Sequence, residues 1–244
     1  MPVPMTTSDV RRPAADRPVG RIDWVSWLLL ATMVGGSVAA WSRVPDVLPI
    51  HWNLQGEVDG TGSRDFVLTV LPLLGAVILG LLWLITRGLP IRESPRISRS
   101  VRTVGRGVLG LVTMLHLAIL LAALGGTVSI GRVAIGGASL LIVLVGLMLR
   151  TLPPNRLVGI RVPATLADDA IWRSTHRLGS VLMVLLGAAV LSASLLPLPL
   201  QLAMLVVGLL TVGVITIGYA MRLAEMRRQQ PDRDAADVVG AADE

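Results

Sequence analysis

The sequence contains no cysteine, which excludes disulfides, thiolate nucleophiles and Cys-based metal sites. It contains no lysine, so all 22 basic residues are arginine. Charged residues are scarce, at 16% of 244, against about 25% in an ordinary soluble domain. Their scarcity is regional. Trp24 to Ser42, Phe66 to Thr86, Gly107 to Gly131 and Val133 to Leu149 hold no charge, and neither does the long stretch Leu178 to Met221. A bilayer core about 30 Å thick needs roughly 20 helical residues to cross it. The last stretch is long enough for two passes, with Pro197-Leu198-Pro199 as the turn between them. The blocks lack the alternation of barrel strands, so their backbone groups must be satisfied along a helix. The expectation is an all-α membrane protein, a six-transmembrane-helix bundle. The first run is expected to remain as a span, although it ends in small residues, Ser37-Val38-Ala39-Ala40, of the kind a cleavage site uses.

What the sequence does have is arginine, on alternate loops. Four precede the first span, six follow the second (Arg87, Arg92, Arg96, Arg99, Arg102, Arg106), five follow the fourth (Arg150, Arg156, Arg161, Arg173, Arg177) and four follow the sixth. Only Arg43, Arg64 and Arg132 fall on the other side. The positive-inside rule then places both the N and C termini in the cytoplasm. The net charge of +6 reports orientation, with attraction to anionic lipid as a secondary effect and no direct nucleic acid binding. Trp24, Trp27, Trp83 and Tyr219 fall near inner boundaries and Trp41 and Phe66 near outer ones, as an interfacial belt requires.

Residues 1–21 read as a disordered cytoplasmic tail. Residues 22–100 form an N-terminal membrane domain with two spans and an outer loop at 43–65. Residues 101–228 form a second membrane domain of four spans, and 229–244 a disordered acidic tail. Small residues four apart (Gly35/Ala39, Gly36/Ala40, Ala188/Ser192, Ala189/Ala193) suit close helix packing within the bundle. The outer loop, with Pro49, Gly56, Gly60 and Gly62, reads as a turn-rich plug with His51 and Trp52 resting on the bundle. His51, Glu57, Asp59 and Asp65 present no full ligand set at a fixed spacing, so no metal is assigned. No other cofactor is expected. In the loop after the fourth span, Thr165 followed by Asp168 resembles a helix start. A short interfacial helix is expected there before the fifth span. Trp172, Thr175, His176 and Gly179 share its one face, against the membrane surface or bundle floor. Arg161 is expected to pair with Asp168 or Asp169, and Asp169 with Arg173.

Both loops carry motifs. Leu48-Pro49-x-His51-Trp52-Asn53-x-x-Gly56-x-x-Asp59-Gly60 resembles the signature of a widespread bacterial membrane domain of unassigned function. Pro154-Asn155-x-x-x-Gly159-Ile160-Arg161-x-Pro163-x-Thr165-Leu166, continuing to Trp172-x-x-Thr175-His176-Arg177-x-Gly179, is similar to the signature of the SdpI-like immunity proteins. The two modules resemble that pair in order and span about residues 24 to 225. One departure stands out: Val162-Pro163-Ala164 replaces the usual Thr-Pro-Trp.

The resemblance implies a multi-pass protein of the bacterial cell membrane that protects against a secreted peptide toxin. It also allows an inward signal to a cytoplasmic transcriptional repressor. On that reading His51, Trp52, Asn53, Gly56, Asp59 and Gly60 outside, and Asn155, Gly159, Arg161, Pro163, Thr165, Trp172, Thr175, His176 and Arg177 inside, are partner-binding or loop-signature residues. A small-molecule or proton-coupled transporter is one alternative. Its only intramembrane ionisable group is His116, which is expected to hydrogen-bond a Ser or Thr of another helix. A membrane-embedded enzyme is the second, but the three histidines lie at different depths and form no triad, so no catalytic residue is assigned.

Overall fold

The computed structural model describes residues 23–87 and 94–240, with side chains through residue 229. In chain order it contains α1 (Trp24–Ala40), β1 (Val47–Trp52), β2 (Val58–Ser63), α2 (Arg64–Arg87), α3 (Pro95–Ala123), α4 (Ile130–Leu149), α5 (Pro163–Ala167), α6 (Asp169–Ser192) and α7 (Leu198–Gly240). Five helices (α2, α3, α4, α6 and α7) are long and apolar enough to cross a membrane. α1 is apolar but has 17 residues, short of the roughly 20 a full crossing needs. The expected tail at 1–21 lies outside the described residues. α7 runs past residue 229, where the second tail is expected to begin, and the Gln229 side chain donates to Glu225 one turn back at 3.1 Å.

The helices form a chain of packed neighbours: α1, α2 and α3 together, then α3 on α4, α4 on α6 and α6 on α7. α4 and α6 make the most extensive contact, because small residues let their backbones meet. A Cβ on Gly187 would stand 2.7 Å from the Ser139 carbonyl, and one on Gly146 would stand 3.1 Å from that of Ser180. The packing pairs read from the sequence are only partly correct. Gly36 and Ala40 face α3, where Gly36 meets Leu120, but Gly35, Ala39, Ala188, Ala189 and Ser192 are exposed on the bundle exterior. α3 passes unbroken through residues 100 and 101, where the domain boundary is expected. From Pro95 the arginine-rich second loop is already helix, because Ser94 caps α3 and Pro95 takes its first position, which tolerates proline's missing N–H.

The two motif loops occupy opposite ends of this bundle. Leu48 of β1 joins Ala40, Val44, Val67, Leu68 and Leu120 in a buried cluster at the end of α1, the start of α2 and the end of α3. At the other end, Asp23 caps α1 and accepts from Arg106 Nε of α3 at 2.9 Å. There the loop residues Leu152, Val158 and Gly159 border the same cavity as Ile85 and Ser100. Arginines crowd this second end.

Candidate functional site

The first motif folds as an antiparallel hairpin. The turn-rich plug expected from the sequence is therefore corrected to two strands joined by residues 53–57. Asn53 builds the turn. Its Oδ1 accepts from Gln55 N at 3.0 Å and Glu57 N at 2.9 Å, while its Nδ2 donates to Glu57 Oε2 at 3.0 Å. Gly56 closes the turn at φ +85°, a conformation that costs glycine nothing. Gly60 lies opposite His51, and a Cβ there would sit 3.0 Å from the His51 Cβ. His51 does not rest on the bundle: it is exposed and its Nδ1 pairs with Asp59 Oδ1 across the strands. Trp52 is half-buried. Val47, Ile50, Leu54 and Val58 are exposed beside Glu57 and Asp59, so the hairpin presents an amphipathic surface outward.

The second motif folds as a lock between the loop and α6. The expected helix start moves by three residues: Asp168, not Thr165, is the N-cap of α6. Its Oδ1 accepts from Ala170 N at 2.7 Å and Ile171 N at 3.0 Å. Those amides, the Ile171 N–H first, together with Arg227 hold its carboxyl below the usual carboxylate range. α6 then runs without a break into the span, so the expected separate interfacial helix shrinks to the five residues of α5. Trp172 and His176 are buried inside the bundle rather than laid on a membrane surface. Their rings stack with centroids 3.9 Å apart.

Each buried ring holds the loop by a backbone atom. Trp172 Nε1 donates to the Leu152 carbonyl at 3.0 Å. His176 Nδ1 donates to the Trp172 carbonyl at 2.9 Å, which leaves Nε2 as acceptor for the Ile160 N–H at 3.1 Å. This tautomer satisfies both ring nitrogens of a neutral imidazole. Gly159 allows the approach, with φ +120°, and any Cβ there would collide with His176 Nε2. Asn155 folds the preceding turn by accepting from Leu157 N and Val158 N, both at 2.8 Å. Thr165 Oγ1 donates to the Ile160 carbonyl at 2.8 Å and accepts from Val162 N at 3.1 Å. Pro163 occupies the first position of α5. Thr175 is fully buried on the same face as His176, yet its hydroxyl has no partner among the described residues. Arg177 is exposed.

The expected Arg161 clamp does not form. Arg161 Nη1 reaches only the Leu157 carbonyl, at 3.4 Å, and Asp168 pairs instead with Arg227 from the end of α7. Geometry explains the preference: the side chain of Asp168 caps α6 and faces α7, whereas Arg161 is exposed on the loop. The Asp169–Arg173 pair does form, at 3.8 Å and exposed. Among the described residues no group of three His, Cys, Asp or Glu side chains gathers to hold a metal.

One buried polar cluster escaped the motif reading. His116 Nε2 lies 3.0 Å from Ser37 Oγ and 3.2 Å from the Met33 carbonyl. The expectation of a hydroxyl partner on another helix is met by Ser37 of α1. Pro72 leaves the Leu68 carbonyl without its usual helical N–H, and the Ser37 hydroxyl takes that place.

Comparison with known proteins agrees with both loops. Residues 151–221 match the SdpI/YfhL protein family, and residues 28–76 match DUF1648, a domain of unknown function. The chain is 25% identical over 158 residues to Immunity protein SdpI of Bacillus subtilis (strain 168), a match that covers 64% of this chain and 74% of that protein. No solved structure matches. The chain is a multi-pass protein of the bacterial cell membrane in which a segment matching DUF1648 precedes a segment matching the SdpI/YfhL family, in the order the two motifs imply.

Proposed function

We propose that this chain is a membrane-resident immunity protein that protects its own cell against a secreted antimicrobial peptide. In this reading α1 completes six spans, both termini lie in the cytoplasm, the hairpin meets the peptide outside, and the α6 end faces a cytoplasmic transcriptional repressor. The likeness to Immunity protein SdpI supports the protective role. The observation that carries the reading furthest is the placement of the two motifs. One is an exposed amphipathic hairpin and the other a locked loop, at opposite ends of one bundle, with thirteen of the sixteen arginines whose side chains are described on the locked side.

A carrier reading has less support: His116 Nε2 is held by Ser37 and Met33, and the uncharged spans offer its Nδ1, unpartnered among the described residues, no carboxylate for a proton relay. A catalytic reading fares no better: both nitrogens of His176 are occupied by backbone groups.

The experiment is expression in a host sensitive to the secreted peptides encoded near this chain's gene. Survival is expected to rise with expression and to be lost on replacing residues 50–60 by a short Gly/Ser turn at matched membrane level. Unchanged survival against every such peptide overturns the proposal.

A further inference from the structure

An apolar cavity in the spanning region lies between α2 and α4, both of which pack on α3. Its volume is about 410 Å³, within the range of roughly 300–1,000 Å³ typical of small-molecule sites. Ile78, Leu82 and Ile85 wall it from α2, Val104 and Val108 from α3, and Val145 from α4. Leu152, Val158 and Gly159 line the arginine-rich end, and Ser100 is the one polar side chain on the lining. Water does not fill such a space, since each molecule needs two to four polar partners. In a bacterial membrane the half-open side of the cavity meets hydrocarbon. An acyl chain is therefore the occupant that the lining chemistry selects.

Charge at the mouth selects the headgroup. Ser100 marks the mouth, and Arg96 stands one helical turn beyond it on α3. Arg156 stands two residues before Val158 in the lining loop. Both arginines are exposed, and neither pairs with an acid among the described residues. The acids described at this end are engaged elsewhere: Asp23 with Arg106, Asp168 with Arg227, Asp169 with Arg173 and Glu225 with Gln229. Guanidinium groups bind phosphate through paired N–H donors.

We propose that this cavity is a site for one anionic phospholipid, with an acyl chain between α2 and α4 and the phosphate at Arg96 and Arg156. The lipid bridges α2 and α4 across α3 and rests against Gly159, the residue seated on His176. The site does not depend on the immunity reading.

The test uses the full chain in a mild detergent, titrated separately with dioleoyl phosphatidylglycerol and dioleoyl phosphatidylcholine and read by native mass spectrometry. One phosphatidylglycerol is expected to stay bound with at least a fivefold preference over phosphatidylcholine. Val145→Trp, which fills the cavity, is expected to lower that retention at least fivefold, and Arg96→Gln with Arg156→Gln to erase the headgroup preference. Val108→Phe fills the cavity from the α3 side and serves if Val145→Trp does not fold, helicity by circular dichroism being the check. Equal retention of the two lipids, or wild-type retention in the filled variants, overturns the proposal. Displacement of the lipid signal by millimolar inorganic phosphate would assign the arginines to free phosphate and overturn it as well.

Discussion

Ser37 on α1 donates its hydroxyl hydrogen to the carbonyl of Leu68 on α2 at 2.6 Å. That carbonyl would ordinarily accept from the residue four positions on, which is Pro72, and proline has no N–H to give. With the Ser37 hydrogen committed, His116 must supply the hydrogen of the 3.0 Å contact between them, which fixes its proton on Nε2. α1, α2 and α3 are thereby joined by one polar chain in the apolar interior.

Ser37→Ala is expected to cost about 1 kcal/mol, because it orphans the Leu68 carbonyl. In a Pro72→Ala background the same substitution should cost less, since the alanine introduced there supplies the missing N–H. Unfolding of the four variants in mixed micelles closes the cycle, and a coupling of zero would refute the assignment.

Trp172→Phe keeps the stacked ring but removes the donor to Leu152, with an expected cost of about 1 kcal/mol. Trp172→Ala also empties a fully buried site and is expected to cost roughly 3–5 kcal/mol. Limited proteolysis within 152–162 reads the release of the loop directly. Cleavage there should accelerate in Trp172→Ala while the outer hairpin is cut no faster.

Thr175→Val exchanges a buried hydroxyl without a partner for a methyl of similar shape. Loss of an unpaired polar group is neutral or stabilising, so unfolding of this variant should occur at or above wild-type conditions. Loss of protection without loss of stability would then give that hydroxyl a role in recognition.

Asp168 gives a pH dependence of defined sign. Its carboxyl is held low by the Ile171 and Ala170 amides and by Arg227. Its contribution is therefore complete above the ordinary Asp value of about 3.9 and is lost as pH falls through the lower folded value. Asp168→Asn should be less stable than wild type at pH 7, with the gap closing as pH falls below the ordinary Asp value of about 3.9. A gap independent of pH would show that the charge contributes nothing.

The span-forming helices were legible because hydropathy and charge exclusion are local properties of a run of residues. The hairpin was not, although Asn53 and Gly56 both stood in the motif and Gly56 was recognised as a turn residue. Pro49, Gly60 and Gly62 are poor strand formers, and here Gly60 is required by the close approach of His51. The one-faced grouping of Trp172, Thr175 and His176 followed from helical spacing, whereas their burial depended on a loop that spacing cannot fold. Asp168 went to Arg227 rather than Arg161 because its partner arrives 59 residues later, on a helix whose placement only tertiary packing decides.

α6 begins at the motif and continues as one helix to Ser192, a length of about 36 Å at roughly 1.5 Å per residue. Trp172 and His176 sit in its first two turns, and Gly187 and Val190 lie against α4 near its other end. A single stiff rod therefore links the two faces of the bundle, with no hinge between them. The same element thus anchors the Gly159 seat at one end and the contact with α4 at the other.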